Sequence, residues 1–152
     1  MPATPRKPGR ENDVSTEAIV NQLRGLTRDT QDLLAARAKQ QGLRAPDLIA
    51  LIRIADGPGM TGAQLSAALG MRSSSITGLA DRLQNAGLIS RAPHPTDRRL
   101  VILKATPQGR QAVIRGLGPV LSRLAAVIDR WDSDEQRTVQ RFLTEVKRAL
   151  AE

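Results

Sequence analysis

Residues 61–87 read TGAQLSAALGMRSSSITGLADRLQNAG, and this stretch decides the fold. Thr61 and Gln64 have capping-box spacing: the threonine hydroxyl can accept the amide of the third helical residue while the glutamine side chain returns to the threonine amide. The short helix that follows turns Leu65, Ala68 and Leu69 inward, and Gly70-Met71 breaks the chain. A second helix runs from about Ser73 to Ala86. Its buried stripe is Ile76, Leu79, Ala80 and Leu83, which leaves Ser74, Ser75, Thr77, Gly78, Asp81 and Arg82 wholly or partly outward. Two short helices joined by a glycine turn make a helix-turn-helix.

Beyond Gly87, Leu88-Ile89-Ser90-Arg91 and Leu100-Val101-Ile102-Leu103-Lys104 read as two strands around a loop with Pro93, Pro95 and Asp97, a two-stranded β-wing. His94 reads as an exposed, structurally neutral residue, with a phosphate contact or pH sensitivity as the alternative. Thr106 followed by Pro107 starts a long helix through Val113, Leu117, Leu121, Leu124, Ile128 and Trp131. Gly116-Leu117-Gly118-Pro119 is expected to interrupt and kink it, because proline lacks an amide hydrogen and crowds the preceding turn. Ser133-Asp134-Glu135-Gln136 has capping-box spacing and opens a last helix bearing Val139, Phe142, Leu143, Val146 and Leu150.

Upstream, Ser15 caps a first helix, with Val14 and Ile19 as a hydrophobic staple and Ile19, Leu23, Leu26, Thr30 and Leu33 on one stripe, ending near Gln41. The helix Pro46 to Asp56 is apolar around most of its circumference and is expected at the centre of the core. The expected organisation is a flexible basic tail over 1–13, an N-terminal dimerisation helix over 14–42, a winged helix-turn-helix over 43–105 and C-terminal dimerisation helices over 106–152, forming one intertwined domain. The fold class is mainly α. The long apolar stripes at both ends are read as a homodimer interface, with an intramolecular helical bundle as the alternative.

Composition narrows the chemistry. The chain has no cysteine and one histidine, which leaves little from which to build a thiolate nucleophile, a disulfide, a metal site or a histidine-based catalytic set. No catalytic residue, metal or cofactor is expected. No apolar run approaches the ~18 residues of a membrane span, and the first residues have no signal-peptide pattern, so a cytoplasmic protein without a membrane partner is expected. Lys and Arg outnumber Asp and Glu by 23 to 15, and between residues 71 and 110 seven basic residues face only Asp81 and Asp97. A basic surface of this kind draws polyanions. The turn Arg72-Ser73-Ser74-Ser75-Ile76-Thr77 supplies small hydroxyls and an arginine at a helix start, where they can reach base edges and phosphates in a major groove. Taken alone, such a serine run is also ordinary capping chemistry.

The stretch Leu43 to Arg110 resembles the MarR family. The resemblance is carried by Leu65-Ser66-Ala67-Ala68-Leu69-Gly70, Ser74-Ser75-Ile76-Thr77, Asp81-Arg82-Leu83, Gly87-Leu88-Ile89, Asp97-Arg98-Arg99 and Thr106-Pro107-Gln108-Gly109-Arg110. It implies a homodimeric transcriptional regulator on pseudo-palindromic double-stranded DNA, a repressor released by a small phenolic or anionic effector. By the same resemblance Arg72, Ser73, Ser74, Ser75, Thr77 and Arg82 lie on the DNA-reading helix and Arg98 and Arg99 on the wing. Arg99 would approach the minor groove, and Asp97 would hold the wing arginine in position. Arg37 and Arg53 lie on helices where an effector pocket would form, or they make surface or intersubunit ion pairs. Three positions depart from the family pattern: Gly78 where a polar or basic residue is common, Arg72 in place of a capping serine, and His94 where an acid is frequent. The competing function is a winged-helix protein-association module without operator binding.

Overall fold

The computed structural model describes residues 15–151; the basic tail and Val14 of the expected staple lie outside the described residues. Among the described residues six helices and three strands follow one another as α1 (Thr16–Gln40), α2 (Ala45–Ala55), β1 (Met60–Thr61), α3 (Gly62–Leu69), α4 (Ser73–Asn85), β2 (Ile89–Pro93), β3 (Val101–Ala105), α5 (Pro107–Ile128) and α6 (Ser133–Ala149). The sequence-derived elements are thus present, within about a residue or two at most ends, except that α5 stops at Ile128 and leaves Trp131 in the turn beyond it.

The core forms around α2, whose Leu48, Ala50, Leu51 and Ile54 are all buried. Against it pack Leu65 of α3, the complete α4 stripe of Ile76, Leu79, Ala80 and Leu83, and Ile89, Leu103 and Ala105 of the sheet. Burying a leucine of this kind contributes about 1.5–3 kcal/mol, so the α2–α4 contact alone fixes the position of α4 firmly. On α3 the expected inward Ala68 is exposed, because Leu65 and the half-buried Leu69 fill the contact. The capping box forms as expected, with Gln64 N donating to Thr61 Oγ1 at 3.2 Å and Thr61 N to Gln64 Oε1 at 2.8 Å. Gly70 ends α3 in the left-handed region at φ 61°, which turns the chain toward α4.

The sheet has three strands rather than two, in the order β1-β3-β2, all antiparallel. Met60 pairs with Leu103 and Thr61 with Ile102, which ties the wing base to the start of α3. A two-residue strand has no periodicity of its own and so leaves no signal along the chain.

Three other features differ from the expectation. α5 runs unbroken through Pro119. Pro119 is exposed, so the carbonyl it cannot pair faces solvent. Gly116, read as part of a break, is buried where α5 crosses the end of α1 and α2: a Cβ there would come within 3.1 Å of Gln41 Nε2. The last helix is capped by Asp132 rather than Ser133, because the Asp132 carboxylate accepts the amides of both Asp134 and Glu135 while Glu135 returns to the Asp132 amide. Finally, α5 is by length and composition apolar enough to cross a membrane, contrary to the expectation that no such stretch exists. The same property suits a helix that packs against another protein surface, and its exposed Ile114, Leu121, Leu124, Val127 and Ile128 adjoin Arg115 and Arg123.

α5 is locked to the wing base by its first turn. Thr106 Oγ1 donates to the Gly87 carbonyl at 2.7 Å and accepts from the Gly109 amide at 3.0 Å, and the Thr106 amide donates to the Leu88 carbonyl at 3.0 Å. Gly109 is buried, and a Cβ on it would overlap the Leu88 carbonyl. Gly109→Ala is therefore expected to destabilise the protein by at least about 3 kcal/mol, since neither backbone can yield without breaking the Thr106 bonds. Chemical denaturation of the two proteins checks this; an unchanged midpoint would contradict the packing described.

Candidate nucleic-acid interface

Most of the expected DNA-reading residues are brought to two exposed places. At the start of α4, Arg72, Ser73, Ser74, Ser75 and Thr77 are all exposed. Arg72 is the N-cap residue but makes no side-chain capping bond, so α4 begins at Ser73 and leaves the Arg72 guanidinium uncommitted to the helix end. Thr77 Oγ1 donates back to the Ser73 carbonyl at 3.1 Å, which fixes its rotamer with the methyl and the oxygen lone pairs available outward.

The second place is the wing tip. The His94 amide donates to the Leu100 carbonyl at 3.0 Å, closing the hairpin, and the Leu100 amide donates to the Asp97 carbonyl at 3.0 Å across a four-residue turn. Arg98 and Arg99 occupy the two central positions of that turn and are exposed. Asp97 Oδ1 accepts the Arg99 amide at 3.0 Å, so Asp97 orders the wing arginine through its backbone rather than through its guanidinium. His94 is not structurally neutral: it is half-buried, and its Nδ1 faces the amides of Thr96 and Asp97, each at 3.3 Å. Facing two donors, Nδ1 serves as the acceptor nitrogen of the ring. The wing tip is thus ordered by one imidazole and one carboxylate that accept backbone amides, with two exposed arginines at its central positions.

Two of the basic residues counted toward the footprint are engaged inside the molecule. Arg91 of β2 donates to Gln84 Oε1 at 2.7 Å and Asp81 Oδ1 at 2.6 Å, binding the wing to α4. Arg82 donates through Nε to Asp47 Oδ2 at 3.0 Å and through Nη2 to Asp47 Oδ1 at 2.7 Å, a bidentate pair between α4 and the first turn of α2. Asp47 is the one buried charged residue among those described, 3% exposed, and no buried polar side-chain atom among the described residues lacks a partner. The Asp47 hydrogen bond raises the Arg82 pKa above its ordinary value, partial burial opposing and the carboxylate charge reinforcing the shift. Sequence reasoning missed Asp47. The available signal was a lone carboxylate on an otherwise apolar helix, which also reads as an acid favourably placed in a first turn.

The two expected effector residues separate. Arg53 lines an open, apolar-walled groove with Val20, Leu23, Arg24, Leu26, Thr27, Val146 and Leu150. Arg37 instead donates to Gln40 Oε1 on its own helix at 3.1 Å. Among the described residues no group of three or more His, Cys, Asp or Glu is placed to hold a metal ion.

Residues 41–100, which comprise α2, the helix-turn-helix and most of the wing, match the MarR family model. The chain is 39% identical over 71 residues to a protein of Thauera aromatica named as a transcriptional regulatory protein for the hcr operon, an alignment covering 46% of this chain and 43% of that protein. It thus spans less than half the length of this relative. The fold is similar to that of RV1404 from Mycobacterium tuberculosis, with a TM-score of 0.68, 26% identity and coverage of 93% of this chain and 97% of that one. It is likewise similar to the MarR family transcription regulator SP03579, with a TM-score of 0.69, 24% identity and coverage of 89% of each chain. The matched segment is the one that carries the exposed α4 start and the wing and is similar to the MarR family, and the shared fold extends over nearly the whole chain.

Proposed function

We propose that the chain is a sequence-specific, dimeric DNA-binding regulator of transcription, acting as a repressor that a small phenolic or anionic molecule releases. The observation that carries the reading is the pairing of two separate groove-sized projections on one core. The α4 start presents hydroxyls and Arg72, and the wing tip presents Arg98 and Arg99, with none of these three guanidinium groups in an ion pair among the described residues. A helix N-terminus of this make-up fits a major groove, and an extended guanidinium fits the concentrated negative potential of a narrow minor groove. Specific readout of this kind involves no catalytic step, in keeping with a family of regulators rather than enzymes.

Dimerisation is supported by what the single chain leaves uncovered. Ile19, Val20, Leu26, Ile114, Leu121, Leu124, Val127, Ile128, Trp131, Leu143 and Leu150 are all exposed, and no residue of α6 is buried. Ile114, Leu117, Leu121, Leu124 and Ile128 recur at alternating spacings of three and four on α5, the pattern of a helix–helix seam. A second copy offers the same stripes in return, and two-fold symmetry would place the two α4 helices about one helical turn of DNA apart on a pseudo-palindromic operator. The groove at Arg53 is the place for the effector: apolar walls would take a ring or alkyl body, and the guanidinium a carboxylate or phenolate. Release follows if the ligand favours a dimer geometry in which the two α4 helices no longer match the groove spacing.

Nuclease protection of the DNA upstream of the gene, with a salt titration, tests the reading. A protected pseudo-palindrome is expected, with affinity falling steeply as salt rises. Arg99→Ala should weaken binding roughly fivefold or more through loss of the minor-groove contact. No protected site, or an affinity indifferent to Arg99→Ala, would favour a protein-association module instead. The dimer has its own test. Leu124→Asp should shift sedimentation from dimer to monomer, because a carboxylate in an apolar seam is costly to bury; a wild-type monomer would contradict the interface.

A further inference from the structure

The Asp47–Arg82 pair uses two of the three guanidinium nitrogens of Arg82, and the third has a defined place. At 100° per residue, Gly78 lies almost opposite the buried stripe of α4, and Arg82, one turn later, lies on the flank toward α2. A Cβ built on Gly78 would meet only Arg82 Nη1 within 4 Å, at 3.7 Å. Nη1 therefore lies over the outward face of α4 at the position where Gly78 offers no side chain. The rest of the fork is held from behind by Asp47, itself 3% exposed, while 43% of the Arg82 side chain remains open to solvent. Such a guanidinium is ordered before any ligand arrives, so little rotamer freedom remains to be lost on binding.

We propose that Asp47 is a positioning residue for DNA binding, pinning Arg82 across the flank of α4 so that Nη1 donates to a backbone phosphate through the opening left by Gly78. The proposal rests on the DNA-binding reading above. It gives Gly78 a role opposite to the one its missing side chain suggests: the gap is what lets the phosphate reach an arginine anchored one turn away. It also gives the bidentate geometry a purpose. Nε and Nη2 face inward to one carboxylate, which leaves Nη1 facing the other way, and a lysine at position 82 could not serve both sides.

Simple charge counting and this proposal make opposite predictions. Asp47→Asn removes a negative charge from the DNA-binding lobe, which by charge alone strengthens binding to a polyanion. Under the proposal it frees Arg82 and weakens binding. The experiment measures fluorescence anisotropy on the protected upstream duplex and on an unrelated duplex of equal length, across a range of salt concentrations, with folded protein verified by thermal melting. D47N should bind the operator roughly three- to tenfold more weakly, with the salt slope unchanged because the cation is still present. The double variant D47N/R82Q keeps two amides able to hydrogen-bond in place of the ion pair, so the helix stays seated. It should lose about tenfold or more on both duplexes and reduce the salt slope by about one per subunit, as expected for a phosphate contact. If wild-type protein binds the operator and D47N binds it equally or more tightly, or D47N/R82Q keeps the wild-type salt slope, the proposal is overturned and the DNA-binding reading stands. If wild-type protein protects no site, both fall.

Discussion

The seating of α4 on α2 is the contact on which the remaining geometry depends. Ile76, Leu79, Ala80 and Leu83 enter a core shared with Ala50, Leu51 and Ile54 of α2, and removal of one such leucine side chain costs about 2–5 kcal/mol in a close-packed interior. Because α4 carries its buried residues on one narrow stripe, that contact sets the rotation of the helix about its own axis. Rotation in turn decides which residues point outward, and Ser74, Gly78 and Asp81 lie on the side away from the core. A helix that reads a groove must be fixed in rotation, since a turn of a few tens of degrees exchanges one set of outward side chains for another. The Asp47–Arg82 pair on one flank and the Arg91–Asp81 pair toward the wing hold the same helix from two further directions.

The basic residues of the lobe accordingly divide into two groups with different work. Arg82 and Arg91 join elements, each sharing its guanidinium with a carboxylate, and under the proposal Arg82 also turns Nη1 toward a phosphate, whereas Arg72, Arg98 and Arg99 stand on the outer surface of a helix start and a turn. The turn itself is preorganised by Asp97 and His94, whose acceptors meet the Arg99, Thr96 and Asp97 amides. Preorganisation of this kind lowers the ordering cost that a flexible arginine loop would incur on reaching DNA. Net charge alone carried none of this distinction.

The helix-turn-helix was legible because its signals are local. Thr61 and Gln64 make their capping box within four residues, and the α4 stripe is a repeat of three and four. The wing strands were legible from two short apolar runs on either side of a loop with Pro93, Pro95 and Asp97, and the outward residues of α4 followed from helical geometry. What was not legible depends on contacts far apart in sequence. Asp47 meets Arg82 35 residues away, and nothing near either residue announces the pairing. Gly116 was read as a helix breaker because its reason for being glycine, the approach of Gln41 and Leu48, lies on other elements. Strand β1 exists only because β3 offers it a partner. His94 read as a bystander because its acceptor role needs the folded turn. The shift of the last cap from Ser133 to Asp132 is a milder case, in which two adjacent residues both suit the position and the carboxylate accepts two amides at once.

In the proposed dimer the apolar faces of α1, α5 and α6 would join two such lobes, since a pair of helix-turn-helix units must be held at a fixed spacing to read two half-sites. The central claim is that α4 and the wing are separate groove readers, one inside the other's span on each half-site. The chain has no cysteine, so a single introduced thiol can carry a DNA-cleaving iron chelate at a chosen place. With Ser74→Cys and, separately, Thr96→Cys, the account predicts strand cleavage from position 74 in two tracts about one helical turn apart, and cleavage from position 96 in minor-groove tracts outside them. Bound duplex that is cut from neither position above background, or cut from position 96 between the two tracts of position 74, would contradict it.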